Sequence, residues 1–356
     1  MHKTTQRDEN PYPYSDSNKR YQTFDYYTRV RFGGKCAKVT LDIGCTCPNK
    51  ADGRGGCVYC KNGSRSAVGE TIRAQYENGL AVANRKWHVA GVIPYFQSGT
   101  NTYGEIDVLR RSFLAAAALP GAVMIGIGTR ADCLGDEVLA LLRELALRIP
   151  VTVELGLQTV HDDTARRIRR GHDYAAFVAG YRRLRALAEE LSPGAPKGCG
   201  RLSIGIHLIN GLPGEDESMM LETARSVAAL APDLVKIHLL HVLTDTPLAD
   251  WYNSGAYIPL TRDAYIRVTA AQLTLLPPDT IIGRVTGDAP AADLLAPAWS
   301  RRKTEVSNMI DKLLYANGEY QGCHYGGDER DGCRSLANQT RSAAHERSPD
   351  TKDETI

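Results

Sequence analysis

Short apolar segments alternate with longer amphipathic segments through most of this 356-residue chain. The apolar segments have the length of buried strands, and the segments between them place apolar residues at helical spacing, as do Val138, Leu141 and Leu145. Buried strands separated by helices are typical of βαβ units, so the alternation predicts a parallel sheet. The predicted strands are residues 38–43, 89–96, 122–128, 151–157, 202–209 and 234–240, and the predicted helices are residues 69–86, 105–118, 135–147, 174–191 and 217–230.

Six strands are too few for a full eight-stranded barrel, and they suit an open partial barrel or a doubly wound sheet. After Leu240 the pattern changes to a helix over 261–277, a strand over 280–287 and a helix over 304–318. This pattern predicts a small α/β appendage packed on the sheet.

Both ends of the chain are polar and aperiodic, which is typical of disordered tails. The expected division is a tail over 1–18, a core over 19–245, a C-terminal extension over 246–322 and a second tail over 323–356.

Composition indicates a globular protein without a membrane partner. The net charge is only +2, no run of about 18 apolar residues occurs, and the N-terminal residues lack the apolar core of a secretory signal. We therefore expect a cytoplasmic protein. Nine cysteines in such a chain favour metal binding or redox chemistry where they cluster, whereas isolated Cys36, Cys133 and Cys199 are expected to be ordinary thiols.

Four cysteines cluster in the loop after the first predicted strand, at Cys45, Cys47, Cys57 and Cys60. A four-thiolate zinc site would use all four, but Cys45-x-Cys47 is a poor zinc knuckle. A redox dithiol would use only Cys57 and Cys60. An iron–sulfur cluster would use Cys47, Cys57 and Cys60 as C-x9-C-x2-C, with the nearby glycines allowing close wrapping and Cys45 left as a bystander.

Further motifs follow the loop in order, so that the whole set resembles the radical S-adenosylmethionine (SAM) superfamily. Within it, the set resembles the YhcC/YtqA-type family, which is related to the elongator catalytic subunit. The resemblance covers residues 20–322 and implies a partial (β/α)6 TIM-like barrel with a C-terminal α/β extension. The matching segments are VRFGGK (30–35), TCPNKADGRGGCVYC (46–60), PYFQSGTNTYG (94–104), GIGTRADCL (126–134), VELGLQT (153–159), IRRGHDY (168–174), HLINGLPGE (207–215), VKIHLLHVLTDTPL (235–248), VTGDAP (285–290), APAWSRRKTEVSNMI (296–310) and GEYQG (318–322).

The resemblance implies an enzyme that uses a [4Fe–4S] cluster to cleave SAM to a 5′-deoxyadenosyl radical. Cys47, Cys57 and Cys60 would hold the cluster, with Tyr59 as the aromatic residue between the last two cysteines. The amino and carboxylate groups of SAM would chelate the fourth iron.

The SAM-binding residues are expected at the carboxyl ends of the predicted strands. Gln97 and Ser98 stand where relatives bind the methionine amino group, although the glutamate usual in the family motif is missing here. Glu154 and Gln158 resemble residues that bind the ribose and methionine parts of SAM, although Glu154 also suits a core ion pair. The remaining expected contacts are Arg170 with the SAM carboxylate, the backbone around Leu212 with the adenine, and His207, which suits either a ligand contact or a core position.

Arg130, Asp132, His238 and His241 are the expected substrate contacts. The family resemblance suggests a tRNA substrate, modified on the carbon-5 side chain of a wobble uridine, and a flavodoxin- or ferredoxin-like reductant. The aromatic and basic residues of 20–35 suit either base stacking or docking of an N-terminal arm.

Two alternatives remain open from the sequence. The first is a non-enzymatic RNA-binding module that carries zinc or an iron–sulfur cluster. The second is an auxiliary metal site involving Cys323, His324 and Cys333, although that set of ligands is incomplete.

Overall fold

The fold was analysed in a computed structural model that describes residues 10–51, 53, 55–61, 70–86 and 88–326. Cys333 and most of the predicted C-terminal tail lie outside these residues. The helices are α1 Phe24–Phe32, α2 Pro48–Ala51, α3 Ile72–Asn84, α4 Ile106–Ala117, α5 Asp136–Ala146, α6 Asp162–Arg167, α7 Tyr174–Leu191, α8 Glu217–Leu230, α9 Pro247–Asn253, α10 Arg262–Leu275 and α11 Lys303–Ala316. The strands are β1 Cys36–Leu41, β2 Gly91–Phe96, β3 Ile125–Thr129, β4 Val151–Gln158, β5 Leu202–Asn210, β6 Leu234–Leu239, β7 Val242–Leu243, β8 Ile281–Arg284 and β9 Leu294–Ala296.

Seven parallel strands form one curled sheet in the order β1-β2-β3-β4-β5-β6-β8. The predicted partial barrel is therefore confirmed. The strand of the predicted C-terminal extension does not stay apart from the core, because β8 pairs in parallel with β6 through Leu234 and Ile281. The extension thus supplies the seventh strand of the half-barrel, and a separate antiparallel ribbon of β7 and β9 lies beside it.

Each strand turns an apolar side chain outward and, at several positions, a polar side chain inward. In β2 the outward Phe96 packs on Phe113 of α4 with ring centroids 4.8 Å apart, whereas the adjacent Tyr95 hydrogen-bonds to Glu154 inside the half-barrel. This alternation follows from the two-residue period of a strand. The outer helices therefore bury an apolar core, and the concave face holds the polar groups.

Side chains cap the start of several outer helices. Asp173, Asp216 and Thr261 each accept a hydrogen bond from the backbone N–H three residues further on, which satisfies a donor left free at the helix start.

Helix α1 contacts both edge strands, β1 and β8. Its aromatic side chains are docked, because Tyr27 is buried with Leu234 and Ile281 and is flanked by Phe24 and Phe32. The aromatic residues of this segment thus anchor an N-terminal arm, which is the second of the two interpretations open from the sequence.

The described parts of both predicted tails pack together. Tyr12 and Cys323 are buried in one small cluster with Tyr320, and the Tyr12 hydroxyl donates to the Pro278 carbonyl. Among the described residues, no helix is long and apolar enough to cross a membrane.

Helix α7 packs closely against a 3-10 turn at Ala131–Cys133, which follows β3. A Cβ atom on Gly180 would overlap the carbonyl group of Ala131. We expect Gly180→Ala to lower the free energy of unfolding by about 2 kcal/mol, because the overlap outweighs the higher helix propensity of alanine. Urea unfolding measures the change. As a control, Gly135→Ser, at a helix N-cap with no atom within 4 Å of the added Cβ, should stay within about 0.5 kcal/mol.

Candidate active site

The cysteine loop follows β1, and backbone hydrogen bonds join it to two neighbouring segments. Val58 is fully buried, its N–H donates to the Ile168 carbonyl at 3.0 Å, and its carbonyl accepts from the Leu248 N–H at 3.0 Å. The loop is therefore held between the segment after β4 and the start of α9, at the carboxyl end of the sheet.

Asn49 attaches the cysteine loop to the segment after α6. Its amide group donates to the carbonyls of Arg169 and Arg170 at 2.7 and 2.8 Å and lies 3.7 Å from the Cys57 sulfur. Gly171 adopts a φ of +83°, and a Cβ atom there would overlap the Asn49 side chain. The approach of the two segments thus requires glycine at position 171.

The loop after β2 is attached to the cysteine loop in a similar way. The Thr100 N–H donates to the Thr46 carbonyl at 3.1 Å, and Gly99 leaves no room for a Cβ beside the Cys45 carbonyl. The buried Asn101 amide donates to the Phe96 and Gly128 carbonyls at 3.1 and 2.9 Å. These bonds hold Gln97 and Ser98 opposite the cysteines.

One cavity of about 630 Å³ unites most of the predicted site residues. Its volume is in the range of small-molecule sites. The predicted residues that line it are Cys47, Cys57, Tyr59, Cys60, Gln97, Ser98, Arg130, Glu154, Gln158, Arg170 and His207.

Arg130 points its guanidinium group toward a cysteine of the loop. Its Nη1 lies 3.7 Å from the Cys47 sulfur and donates to the Arg170 carbonyl at 3.2 Å, while two further bonds of 2.8 and 2.6 Å join it to the Asp132 carboxylate. This arrangement is a forked ion pair of the kind that arginine favours. Asp132 thus orients Arg130 and does not itself line the cavity.

The environment of Cys57 favours its thiolate. A hydrogen bond from Cys60 is the largest influence and lowers the pKa of Cys57 to about 5, although burial opposes it, and Arg170 adds positive charge. Cys45, by contrast, does not line the cavity, and burial raises its pKa to about 11. Within the described residues, no three His, Cys, Asp or Glu side chains are arranged to hold a single metal ion.

Arg170 is buried and offers an unused donor to the cavity. One Nη group donates to the Gly156 carbonyl, whereas Nε has no partner among the described residues. Gln158 lies nearby in the left-handed region (φ 78°), at an irregularity in the β4–β5 pairing. An unpaired buried donor is costly, so this corner suits an acceptor such as a ligand carboxylate.

Glu154 is buried among basic and hydroxyl groups from four other strands. Its carboxylate accepts from Lys38 at 3.1 Å, Tyr95 at 2.8 Å and His207 at 2.7 Å, and it pairs with Lys236. Burial alone would raise the pKa of Glu154, but Lys236, Lys38 and His207 together hold it well below its usual value. Glu154 thus lines the cavity and forms a core ion pair at the same time.

Besides Asp132, three predicted residues lie away from the wall of this cavity. Leu212 is buried with Val58 in a separate apolar cluster. His238 lies behind His207, with ring centroids 5.1 Å apart, and His241 lies beside Gly287. These roles stay predictions.

Sequence reasoning missed several residues that shape the site, among them Asn49, Tyr95 and Lys236. A signal for two of them was present, because Tyr95 and Lys236 interrupt otherwise apolar strand segments. The role of Asn49 could not be predicted, because its contact with Gly171 joins distant parts of the chain and produces no local sequence pattern.

The comparisons with known families agree with this geometry. The family model described as the Radical SAM superfamily matches residues 43–227, and the Radical_SAM C-terminal domain matches residues 232–316. The chain belongs to the radical SAM superfamily. It is 42% identical to YtqA of Bacillus subtilis (strain 168) over 320 residues, which are 88% of this chain and 95% of YtqA.

A second relative supports the assignment, and a solved structure shares the fold. The chain is 33% identical to YhcC of Escherichia coli (strain K12) over 81% of this chain and 90% of YhcC. Its fold resembles that of the archaeal Methanocaldococcus infernus Elp3, with a TM-score of 0.59 and 19% identity over 80% of this chain and 64% of the Elp3 chain.

The cofactors of the protein are accordingly a [4Fe–4S] cluster and SAM. The residues present fit this pair. Three thiols line one side of the cavity, and the unpaired Nε of Arg170 offers a donor to a carboxylate nearby.

Replacement of Glu154 tests the network inside the half-barrel. We expect Glu154→Gln to lower the free energy of unfolding by about 3 kcal/mol or more near neutral pH, because buried Lys236 loses its counter-ion and must then either keep an uncompensated charge or give up its proton. The pKa of Glu154 is lower in the folded protein than its ordinary value of 4.5. The ionised carboxylate therefore stabilises the fold above about pH 4.5, and this stabilisation is lost as the pH falls from there toward the lower folded pKa. Urea unfolding of the parent protein and of Glu154→Gln, from neutral pH to below pH 4.5, measures the loss.

Glu144→Gln is the matched control, because that carboxylate pairs with Arg110 and Arg148 on the surface. It should cost less than about 1 kcal/mol. The double variant Glu154→Gln/Lys236→Met should regain part of the stability. A Glu154→Gln variant as stable as the parent would contradict the role of the network.

Proposed function

We propose that the protein is a radical SAM enzyme in which Cys47, Cys57 and Cys60 hold the cluster, and that its substrate is a tRNA wobble uridine. The observation that carries the first part is the shared cavity, which brings these thiols together with Arg170, Gln158 and the loop after β2. When bound, the cluster and SAM supply a 5′-deoxyadenosyl radical that abstracts a hydrogen atom from the substrate.

The surrounding residues hold the ligands in place. Arg130 and Asn49 direct N–H groups at the sulfurs of Cys47 and Cys57, and the bond from Asn49 helps to lower the pKa of Cys57. Arg170 supplies the unpaired donor for the SAM carboxylate, and Gln97 and Ser98 supply polar groups for its amino end. Tyr59, half-buried beside the cysteines, shields them from water.

The tRNA substrate is supported by similarity to more distant relatives. A tRNA uridine(34) acetyltransferase of Methanocaldococcus jannaschii is 25% identical over 200 residues, which are 55% of this chain and 33% of that protein. We extend the uridine-34 substrate of that enzyme to this chain, with modification at the carbon-5 side chain. Such an activity takes place in the cytoplasm and requires a one-electron donor, which we propose to be a flavodoxin- or ferredoxin-like protein.

Cysteine replacement separates the three proposed ligands from the bystander. After anaerobic reconstitution, Cys47→Ala, Cys57→Ala and Cys60→Ala should each lose the four-iron cluster and the formation of 5′-deoxyadenosine. The matched control Cys45→Ala should retain most of both. Iron and sulfide content, electron paramagnetic resonance of the reduced protein and product chromatography measure the outcome.

Two results would contradict this assignment. Equal loss in Cys45→Ala would show that the ligand set is wrong. A colourless parent protein that holds one zinc ion and does not cleave SAM would favour a non-enzymatic binding module.

The tRNA substrate is tested by nucleoside mass spectrometry. A strain lacking the gene should lose, or accumulate a precursor of, one modified wobble uridine. Complementation with the parent chain should restore it, whereas complementation with Cys57→Ala should not. An unchanged wobble-uridine profile in the deletion strain would contradict the tRNA part of the proposal alone.

A further inference from the structure

Basic side chains gather at the carboxyl ends of β6 and β8, at one end of the half-barrel interior. Lys236 and His238 lie on the inner side of β6, and Arg284 is the register partner of Lys236 on β8. His241 and Lys303 follow, in the loop after β6 and at the start of α11. We call these five residues the cationic rim.

The cationic rim and its surroundings carry more positive than negative charge. Lys38, Lys236, Arg284 and Lys303 supply four cations, and two carboxylates in the described part of the chain pair with them. Glu154 pairs with Lys38 and Lys236, and Asp288 pairs with Arg284 and Lys303. When Lys236 is protonated, two positive charges therefore remain without a counter-ion among the described residues.

The histidines of this region are neutral and one has a free polar atom. Burial lowers the pKa of His207 and His241 to about 4 and that of His238 well below its usual value. The Nε2 atom of His238 is buried and has no hydrogen-bond partner among the described residues. A neutral imidazole donates one N–H, so His238 is able to donate to an acceptor that the protein itself does not provide.

We propose that the cationic rim binds an anionic oxygen group of the substrate, a carboxylate or a phosphate, beside the SAM cavity. This inference rests on one part of the proposed function, namely that the substrate and SAM bind in the same half-barrel. Two charges in excess and an unpaired donor together match the charge and the acceptor oxygens of such a group. The position also fits, because His207 lines the cavity and its ring lies against that of His238.

Anion binding should take up a proton. Burial lowers the pKa of Lys236 to about 7, and Glu154 offsets this effect only in part. The other titratable groups that face Lys236 are Lys38, Arg284, Glu154, His207, His238 and Tyr95. The pKa of Glu154 is held well below its usual value, those of His207 and His238 are lowered and that of Tyr95 is raised, so none of these four groups titrates between about pH 6 and pH 8. An added anion raises the pKa of Lys236, so binding should weaken as the pH rises through 7.

The test uses the holoprotein with cluster and SAM bound, under anaerobic conditions and without reductant. Isothermal titration with sulfate, whose charge is constant in this range, should show binding that weakens from about pH 6 to about pH 8. Arg284→Gln and His238→Phe should each weaken sulfate binding about tenfold. Arg262→Gln is the matched control. The side chain of Arg262 is 39% exposed and pairs with Glu305 at 2.9 Å. The side chain of Arg284 is similar, with 36% exposure and a partner, Asp288, at 2.9 Å.

The same protein samples are assayed for reductive SAM cleavage, which separates the two proposals. Sulfate binding that depends on Arg284 and His238 supports the anion site even if SAM is not cleaved. Absence of binding at millimolar sulfate in a protein that cleaves SAM overturns the anion site and leaves the proposed function intact. Equal weakening in Arg262→Gln would overturn it as well, because binding would then follow general surface charge.

Two further ligands identify the source of the anion. Displacement of sulfate by an anticodon stem–loop RNA, lost in Arg284→Gln, assigns the site to an RNA phosphate. Tight binding of acetate without displacement by the RNA assigns it to the carboxylate of a small co-substrate. Both results support the site.

Discussion

A single buried carboxylate ties together the interior of this half-barrel. Glu154 on β4 accepts hydrogen bonds or ion pairs from residues on β1, β2, β5 and β6. An isolated charge at this depth would be strongly unfavourable, and each of its partners would in turn be a buried donor without an acceptor. The strands that surround the cavity are therefore held in one curvature by electrostatics on the concave face and by apolar packing on the convex face.

The same reasoning explains why the cysteine loop needs so little secondary structure of its own. Its position is fixed at the backbone carbonyl groups of Arg169 and Arg170, to which Asn49 donates, and Arg130 donates to the same Arg170 carbonyl. Both side chains also direct an N–H group at a cysteine sulfur. Positioning of the loop and hydrogen bonding to its sulfurs thus depend on the same two residues.

The architecture was predictable from the sequence where local pattern decides it. The β4 and β5 strands were predicted to within one residue, because runs of β-branched and leucine residues mark buried parallel strands. Helix α1 was not predicted, since its aromatic and basic residues form no regular apolar stripe. The β8 strand was predicted, but its place beside β6 was not, because strand partners are chosen by long-range packing.

The site divides in the same way. The family motifs indicated the cysteines, Arg170, Glu154 and His207, whereas Lys38, Tyr95 and Lys236 were visible only as polar interruptions in apolar strands. Lys38, Glu154, His207 and Lys236 each stand inside such a run. Each polar residue alone suggests only a weaker strand. Their shared role as partners in one buried network depends on the curvature of the sheet, which brings residues of five strands together.

The polar groups of the interior are of two kinds, those that the protein itself pairs and those that are left for a ligand. Both oxygens of Glu154 already accept bonds from the protein, so Glu154 binds a further ligand only by giving up one of these bonds. Arg170 Nε and His238 Nε2, in contrast, have no acceptor among the described residues. A buried donor without a partner costs about 1–3 kcal/mol, and a ligand oxygen removes that cost. Ligand affinity in this half-barrel should therefore depend more on these two donors than on the buried carboxylate between them.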